Sequence, residues 1–149
     1  MDEKFMKAAI KQAILGATKY DEVPIGAVIV KEGKIIARAH NMKEEKKCAN
    51  YHAEMVAIEK ACKKIGNWRL IGCDIYVTLE PCPMCVGALI NARIDNIYFG
   101  AFDEKAGALK SRCELMEHKF NHYASYEGGI MQDKCAKLLS DYFKAKRGK

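Results

Sequence analysis

Two short segments about thirty residues apart constrain this chain more than anything else: His52-Ala53-Glu54 and Pro81-Cys82-Pro83-Met84-Cys85. Cys82 and Cys85 can present two sulfurs to one point, and His52 can add a nitrogen. Three soft or borderline ligands suit Zn²⁺, whose tetrahedral shell then keeps one position open for water. An open position marks a catalytic rather than a structural metal. Glu54, two residues beyond the histidine, is the candidate proton carrier.

The chain has 149 residues, enough for one domain with a proper core, and we read residues 1–149 as a single unit. Half of it is apolar and 30% charged, the mix of a soluble globular protein. No apolar run approaches the roughly 20 residues of a membrane span. The start, Met1-Asp2-Glu3-Lys4, lacks a basic segment followed by an apolar core, so no secretory signal is expected and cytoplasm is the default compartment. Besides the motif pair, Cys48, Cys62, Cys73, Cys113 and Cys135 are scattered singly, without the close spacing of a stapled domain. They read mostly as small buried thiols. The net charge of +6 serves solubility and equally suits a polyanionic partner.

Phe5, Met6, Ala9, Ile10, Ala13, Ile14 and Ala17 recur at helical spacing, with Asp2 as cap. Val23 to Val30 reads as a buried strand with Pro24 near its start, Lys31-Glu32-Gly33-Lys34 as a hairpin turn, and Ile35 to Ala39 as the returning strand. Asn41 to Tyr51 is polar and aperiodic, a loop. Ala53 to Ile65 reads as a helix, placing His52 and Glu54 at its first turn, and Gly66-Asn67 stops it. Asp74 to Leu79 is a third strand. A helix then runs from Pro81 or Cys82 to about Ala92, where the dipole lowers thiolate pKa. Asp95 to Gly100 is a fourth strand, Arg112 to Glu117 a short helix, and Tyr123 to Tyr126 a fifth strand. Ile130 to Lys146 is a last helix with Met131, Cys135, Leu138, Leu139 and Tyr142 on its apolar face. Helices alternating with short strands indicate a layered α/β domain: one mixed sheet, helices on both faces, the first two strands antiparallel, and the strands flanking the Cys82 helix parallel.

A lone C-x-x-C is a modest signal, open to a redox pair or half of a structural zinc site. The pair here follows Thr78-Leu79-Glu80-Pro81 rather than a thioredoxin-like context, and no second cysteine pair supplies a fourth ligand. With H-x-E at a helix start one strand upstream, the set matches the signature of zinc-dependent nucleobase deaminases. The chemistry explains the choice. An exocyclic amine is a poor leaving group and neutral water a poor nucleophile, and zinc lowers the pKa of water towards about 7. Glu54 can take that proton, pass it to a ring nitrogen, and protonate the departing amine. His118 reads as a surface histidine rather than a further ligand.

Over nearly its whole length the chain resembles the bacterial tRNA-specific adenosine deaminases of the cytidine deaminase-like superfamily. The resemblance is carried by Glu22-Val23-Pro24-Ile25-Gly26-Ala27-Val28, Ala39-His40-Asn41, His52-Ala53-Glu54, Trp68-Arg69-Leu70, Tyr76 to Cys85, Gly100-Ala101-Phe102-Asp103, Phe120-Asn121-His122 and Leu138 to Phe143. It implies a three-layer α/β/α fold with a five-stranded sheet, a homodimer, one zinc per subunit, and conversion of adenosine to inosine at the wobble position of an arginine tRNA anticodon. It further implies that Asn41 contacts the flipped nucleoside, that Asp103 and Lys105 meet the RNA near the target, that Phe143 stacks on an anticodon base, and that Lys144, Lys146 and Arg147 contact phosphate. Two stretches depart from the family. Ala49-Asn50-Tyr51 replaces a Pro-Thr-Ala-like stretch as a bulkier wall beside the site, and Ala106 to Cys113 replaces a Gly- and Ser-rich segment. The helix beginning at Cys82 is expected at the dimer interface, because Met84, Val86, Leu89 and Ile90 exceed the needs of one buried face. A deaminase of a free base or nucleoside (guanine, adenine or cytosine) shares the metal motif and is the alternative. A non-catalytic RNA-binding or structural-zinc protein would not need Glu54.

Overall fold

Strand β1 (Gly26–Lys31) sorts the core into two halves. Its side chains alternate across the sheet. Ala27 and Ile29 join one cluster with Ala53, Val56, Ala57, Val86 and Leu89. Val28 and Val30 join a second with Phe5, Met6, Ala9, Ile10 and Cys135. Period-two alternation with both faces apolar is what a strand covered on both sides requires.

The computed structural model describes residues 1–148. Around β1 stand α1 (Glu3–Tyr20), β2 (Lys34–His40), α2 (Lys43–Lys46), α3 (Ala53–Ile65), β3 (Cys73–Leu79), α4 (Pro83–Asn91), β4 (Asn96–Ala101), a 3₁₀ turn at Leu115–Glu117, β5 (Ser125–Glu127) and α5 (Gln132–Arg147). The sheet order is β2-β1-β3-β4-β5. β1 pairs antiparallel with β2 and β3, while β4 runs parallel to β3 and β5. α3 and α4 cover one face, α1 and α5 the other. This is the expected three-layer architecture with a mixed five-stranded sheet.

Asp2 caps α1 by accepting the Lys4 amide at 3.0 Å, and its own amide donates to the Tyr76 hydroxyl at 2.8 Å. The helix lies so close to β1 that a Cβ on Gly26 would sit 2.0 Å from the Ala9 carbonyl oxygen. Ile14, expected on the buried face, is 41% exposed. The hairpin turn at Glu32-Gly33 has positive φ at both residues, the backbone twist that matches two-residue hairpins.

β5 and α5 each begin two residues later than expected, at Ser125 and Gln132, and α4 begins at Pro83; three further elements differ by more. β1 starts at Gly26 rather than Val23: Pro24 has no amide to pair, and the Ile25 amide bonds the Val23 carbonyl at 2.8 Å. The helix expected over Arg112 to Glu117 shrinks to the Leu115–Glu117 turn, because the amides of Arg112 and Cys113 fold back onto the Gly107 carbonyl. The expected loop from Asn41 to Tyr51 holds the one-turn α2. The single cysteines differ as well. Cys73 and Cys135 are buried, but Cys48 and Cys62 are half-buried and Cys113 is exposed. On α4 the apolar surplus is mostly spent inside: Val86, Leu89 and Ile90 are buried in the chain's own core, and of the four expected interface residues only Met84 is half-buried. No helix among the described residues is long and apolar enough to cross a membrane.

Candidate active site

Two helix starts meet at the end of the parallel strand pair where β3 finishes. His52 is the N-cap of α3 and Cys82 the N-cap of α4, with Pro83 opening the first turn and Cys85 one turn in. Neither cap side chain bonds its own helix. Both face each other instead: His52 Nδ1 lies 3.6 Å from Cys82 Sγ and 3.6 Å from Cys85 Sγ. All three donor atoms lie within 4.8 Å of one another, and this is the sole such cluster among the described residues. His118 is exposed and lies beside Phe120.

The donor set fits zinc. Zn–S of about 2.3 Å and Zn–N of about 2.05 Å at a tetrahedral angle put sulfur and nitrogen about 3.5 Å apart, matching the separations here. Without a cation the three groups share their protons unequally. Hydrogen bonding from the Cys85 thiol, helped by His52, brings the Cys82 thiol down to about 4 despite burial. The same partnership with Cys82, together with burial, raises Cys85. Hydrogen bonding to Cys82 raises His52 against the effect of burial. One sulfur is thus held as thiolate, and a soft cation bound here would displace the protons that Cys85 and His52 keep in its absence.

Glu54 lies in the first turn of α3 and is 4% exposed. Burial pushes its carboxyl up to about 7, although its own backbone amide and His52 oppose the shift. A carboxyl near neutrality can both take and give a proton at working pH. Glu54 lines a cavity of about 230 Å³ together with His52, Cys82, Asn41, Glu80 and Asp103.

The two rims of this cavity are irregular backbone, and each hangs on a buried carboxylate. Glu22, fully buried, accepts the amides of Glu44 at 3.0 Å and Glu45 at 2.6 Å. That fixes α2 and the residues before it, where Asn41 Oδ1 accepts the Lys43 amide at 3.1 Å. Asn41 and Lys43 both line the cavity. On the other rim Asp103 Oδ1 accepts the amides of Lys105 and Ala106, and Glu80 holds the segment beyond.

A family model, the cytidine and deoxycytidylate deaminase zinc-binding region, matches residues 1–101. The tRNA-specific adenosine deaminase of Bacillus subtilis (strain 168) is 48% identical, covering 99% of this chain and 92% of that protein. The chain belongs to the zinc-dependent deaminases, in the tRNA-specific adenosine deaminase family. A solved structure from work on A-to-I editing by tRNA:A34 deaminases at the wobble position of transfer RNA superposes with a TM-score of 0.89. It is 40% identical and covers 93% of this chain and 100% of that one. Guanine deaminase from Bacillus subtilis superposes less closely, with a TM-score of 0.66 at 30% identity, covering 100% and 96%.

The deaminase cofactor is Zn²⁺, and His52, Cys82 and Cys85 are the residues that fit it. The other residues singled out from the sequence divide. Asn41 and Asp103 stand in the cavity wall beside His52, Glu54 and Cys82. Lys105 is exposed and outside the lining. Phe143 is 43% exposed on α5, edge-on to Tyr142, and also outside it. Lys146 is engaged within the chain, donating to Asp21 Oδ2, while the Tyr142 hydroxyl donates to the Asp21 carbonyl. Tyr51 does not wall the catalytic cavity; it lines two neighbouring clefts. Sequence reasoning missed Glu22, Lys43 and Glu80. Their one local signal was position, Glu22 and Glu80 each standing one residue before a segment that opens with Val23-Pro24 or Pro81-Cys82.

Proposed function

We propose that this enzyme hydrolyses adenosine to inosine at the wobble position of a tRNA anticodon, releasing ammonia. The observation that carries the reading is a buried Glu54 facing a three-ligand zinc site, in a chain that follows a tRNA-specific adenosine deaminase at 48% identity over 99% of its length. The cavity, about 230 Å³, is smaller than the roughly 300–1,000 Å³ that swallows a whole small ligand. It suits one flipped base whose backbone stays outside.

Bound Zn²⁺ supplies the Lewis acidity that makes water a competent nucleophile at neutral pH. Glu54 takes a proton from the attacking water as the new bond forms between its oxygen and C6. The same carboxyl gives that proton to ring N1, then takes the remaining proton from the new C6 hydroxyl and delivers it to the exocyclic amine as the C6–N bond breaks and the C6 carbonyl forms. Water and adenosine thus give inosine and ammonia, with Glu54 restored. Asn41 would hydrogen-bond the nucleoside through its amide, because its oxygen already serves the Lys43 amide. Asp103 would meet the flanking nucleotide, Lys43 and Lys105 would face phosphate, and Phe143 would stack on an anticodon base.

The chain acts as a homodimer in this reading. The outer side of α4 leaves Met84, Gly87 and Ala88 half-buried, beside a cleft lined by Gly87, Ile90, Leu115 and Phe120, the last 52% exposed. An arginine tRNA is the expected substrate and the cytoplasm the place of work. Residues 1–149 are read as one zinc-dependent deaminase domain.

The test is to incubate the purified zinc-loaded protein with total tRNA and sequence the products. A-to-I conversion confined to anticodon wobble positions supports the proposal. Similarity to guanine deaminase gives the competing reading. Ammonia release from free guanine with unchanged tRNA would establish that one instead.

A further inference from the structure

Glu80 is 2% exposed and takes no part in the proton transfers. Its two oxygens nevertheless receive five hydrogen bonds. Oε1 accepts the Asp103 amide at 3.0 Å and the Ser111 hydroxyl at 2.5 Å. Oε2 accepts the amides of Leu109 at 3.2 Å, Lys110 at 2.7 Å and Ser111 at 2.9 Å. An ionised carboxylate offers about four lone-pair sites, so this one is saturated. Every donor outside the side chain of Ser111 is backbone, and all five come from residues 103 to 111. The Glu80 amide is itself fixed to the Ala101 carbonyl at the end of β4, and the Ala108 amide to the Pro81 carbonyl.

A second observation shows how closely the segment is wrapped. A Cβ on Gly107 would lie 2.3 Å from the Glu80 carboxyl carbon and 2.6 Å from the Asp103 carbonyl oxygen. Only glycine lets the backbone approach the carboxylate this closely. The same segment brings Asp103 and Ala106 to the cavity, which Glu80 also lines. No helix or strand orders the chain between Ala101 and Leu115.

We propose that Glu80 is a positioning residue: its buried carboxylate gathers the Asp103–Ser111 segment into one wall of the substrate cavity and so sets substrate affinity. The proposal rests on reading that cavity as the nucleoside site. A glutamine cannot replace it, because one acceptor oxygen would become an NH₂ group pointed at backbone N–H donors. The zinc ligands and Glu54 lie outside the wrapped segment, so loosening it should weaken binding more than it slows chemistry.

The experiment uses the full-length zinc protein and an anticodon stem-loop RNA carrying a wobble adenosine. In Glu80→Gln, zinc content should stay at the wild-type level, and amide exchange at Leu109, Lys110 and Ser111 should accelerate. KM should rise about ten- to a hundredfold, with kcat much less affected. Ser111→Ala should shift KM in the same direction by less, Ser111→Thr should stay near wild type, and adding Ser111→Ala to Glu80→Gln should cost nothing further. Gly107→Ala, which keeps the carboxylate and displaces the wall, should raise KM as well and covers the case of a Glu80→Gln protein that does not fold. An unchanged KM with accelerated exchange would overturn the substrate-wall claim. Unchanged exchange would overturn the anchoring claim, and lost zinc would assign Glu80 to the metal site. If the wild type makes no inosine in RNA, the functional reading fails; the exchange result and the KM for guanine then still decide the role of Glu80.

Discussion

At His52 and Cys82 the chain forgoes a common source of helix stability. An N-cap side chain normally contributes about 0.5–2 kcal/mol by accepting an amide of its own helix. Both side chains here turn to one another instead. The metal offsets that loss, so removing it with a chelator should lower the unfolding temperature as well as activity, and restoring zinc should restore both. Cys82→Ala should fail to hold zinc at one per chain even under zinc excess, as read by elemental analysis after dialysis. Full occupancy would show that the site does not need that sulfur. Glu54 separates chemistry from binding. Glu54→Gln keeps the shape of the buried side chain and removes the proton carrier. Zinc content and RNA affinity should therefore persist while single-turnover rate falls by at least about 10². A wild-type rate would remove Glu54 from the mechanism.

Among the elements, those set by local pattern were legible. α3 runs over Ala53–Ile65 as its periodicity and the Gly66 stop indicate, and Asp2 caps α1 as expected. The metal set was legible too, because ligand chemistry demands particular residue types at particular spacings. What stayed hidden was backbone held by acceptors far away in sequence. Arg112 to Glu117 reads as a helix, yet the amides of Arg112 and Cys113 go to Gly107, at the end of a segment whose Lys110 and Ser111 amides Glu80 holds from some thirty positions upstream. The Asn41–Tyr51 stretch reads as a loop, yet Glu22 organises it from 22 positions away. Single-residue propensity has no view of such pairs. The apolar surplus on α4 misled for a related reason: a helix between two strands and a neighbouring helix buries more than one stripe. Two predictions follow at this scale. Glu22→Ala would orphan two amides, costing about 1–3 kcal/mol for each that water does not reach, measurable by urea unfolding. Gly26→Ala would drive a methyl into the Ala9 carbonyl and lift α1 from the sheet. It should destabilise by about 1–3 kcal/mol or more, and an unchanged unfolding midpoint would contradict the close packing of α1 on β1.

For the molecule as a whole the question is what lies beyond the cavity mouth. A net charge of +6 with Lys43 in the lining and Lys105, Lys144 and Arg147 exposed gives RNA phosphates roughly two to four partners. Lys146 is excluded because it is engaged with Asp21. The slope of log affinity against log salt should then be about −1.5 to −3, whereas a free base would show almost none. Light scattering at micromolar concentration should give a dimer mass. The most direct test of the central claim compares substrates under one set of conditions: kcat/KM for an anticodon stem-loop with a wobble adenosine against kcat/KM for free adenosine and free guanine. Contacts remote from the reacting carbon raise turnover as well as affinity when they position it, so truncated substrates lose both. The stem-loop should exceed either small molecule by at least about 10³. Equal or higher kcat/KM for guanine, with no inosine formed in the stem-loop, would contradict that claim.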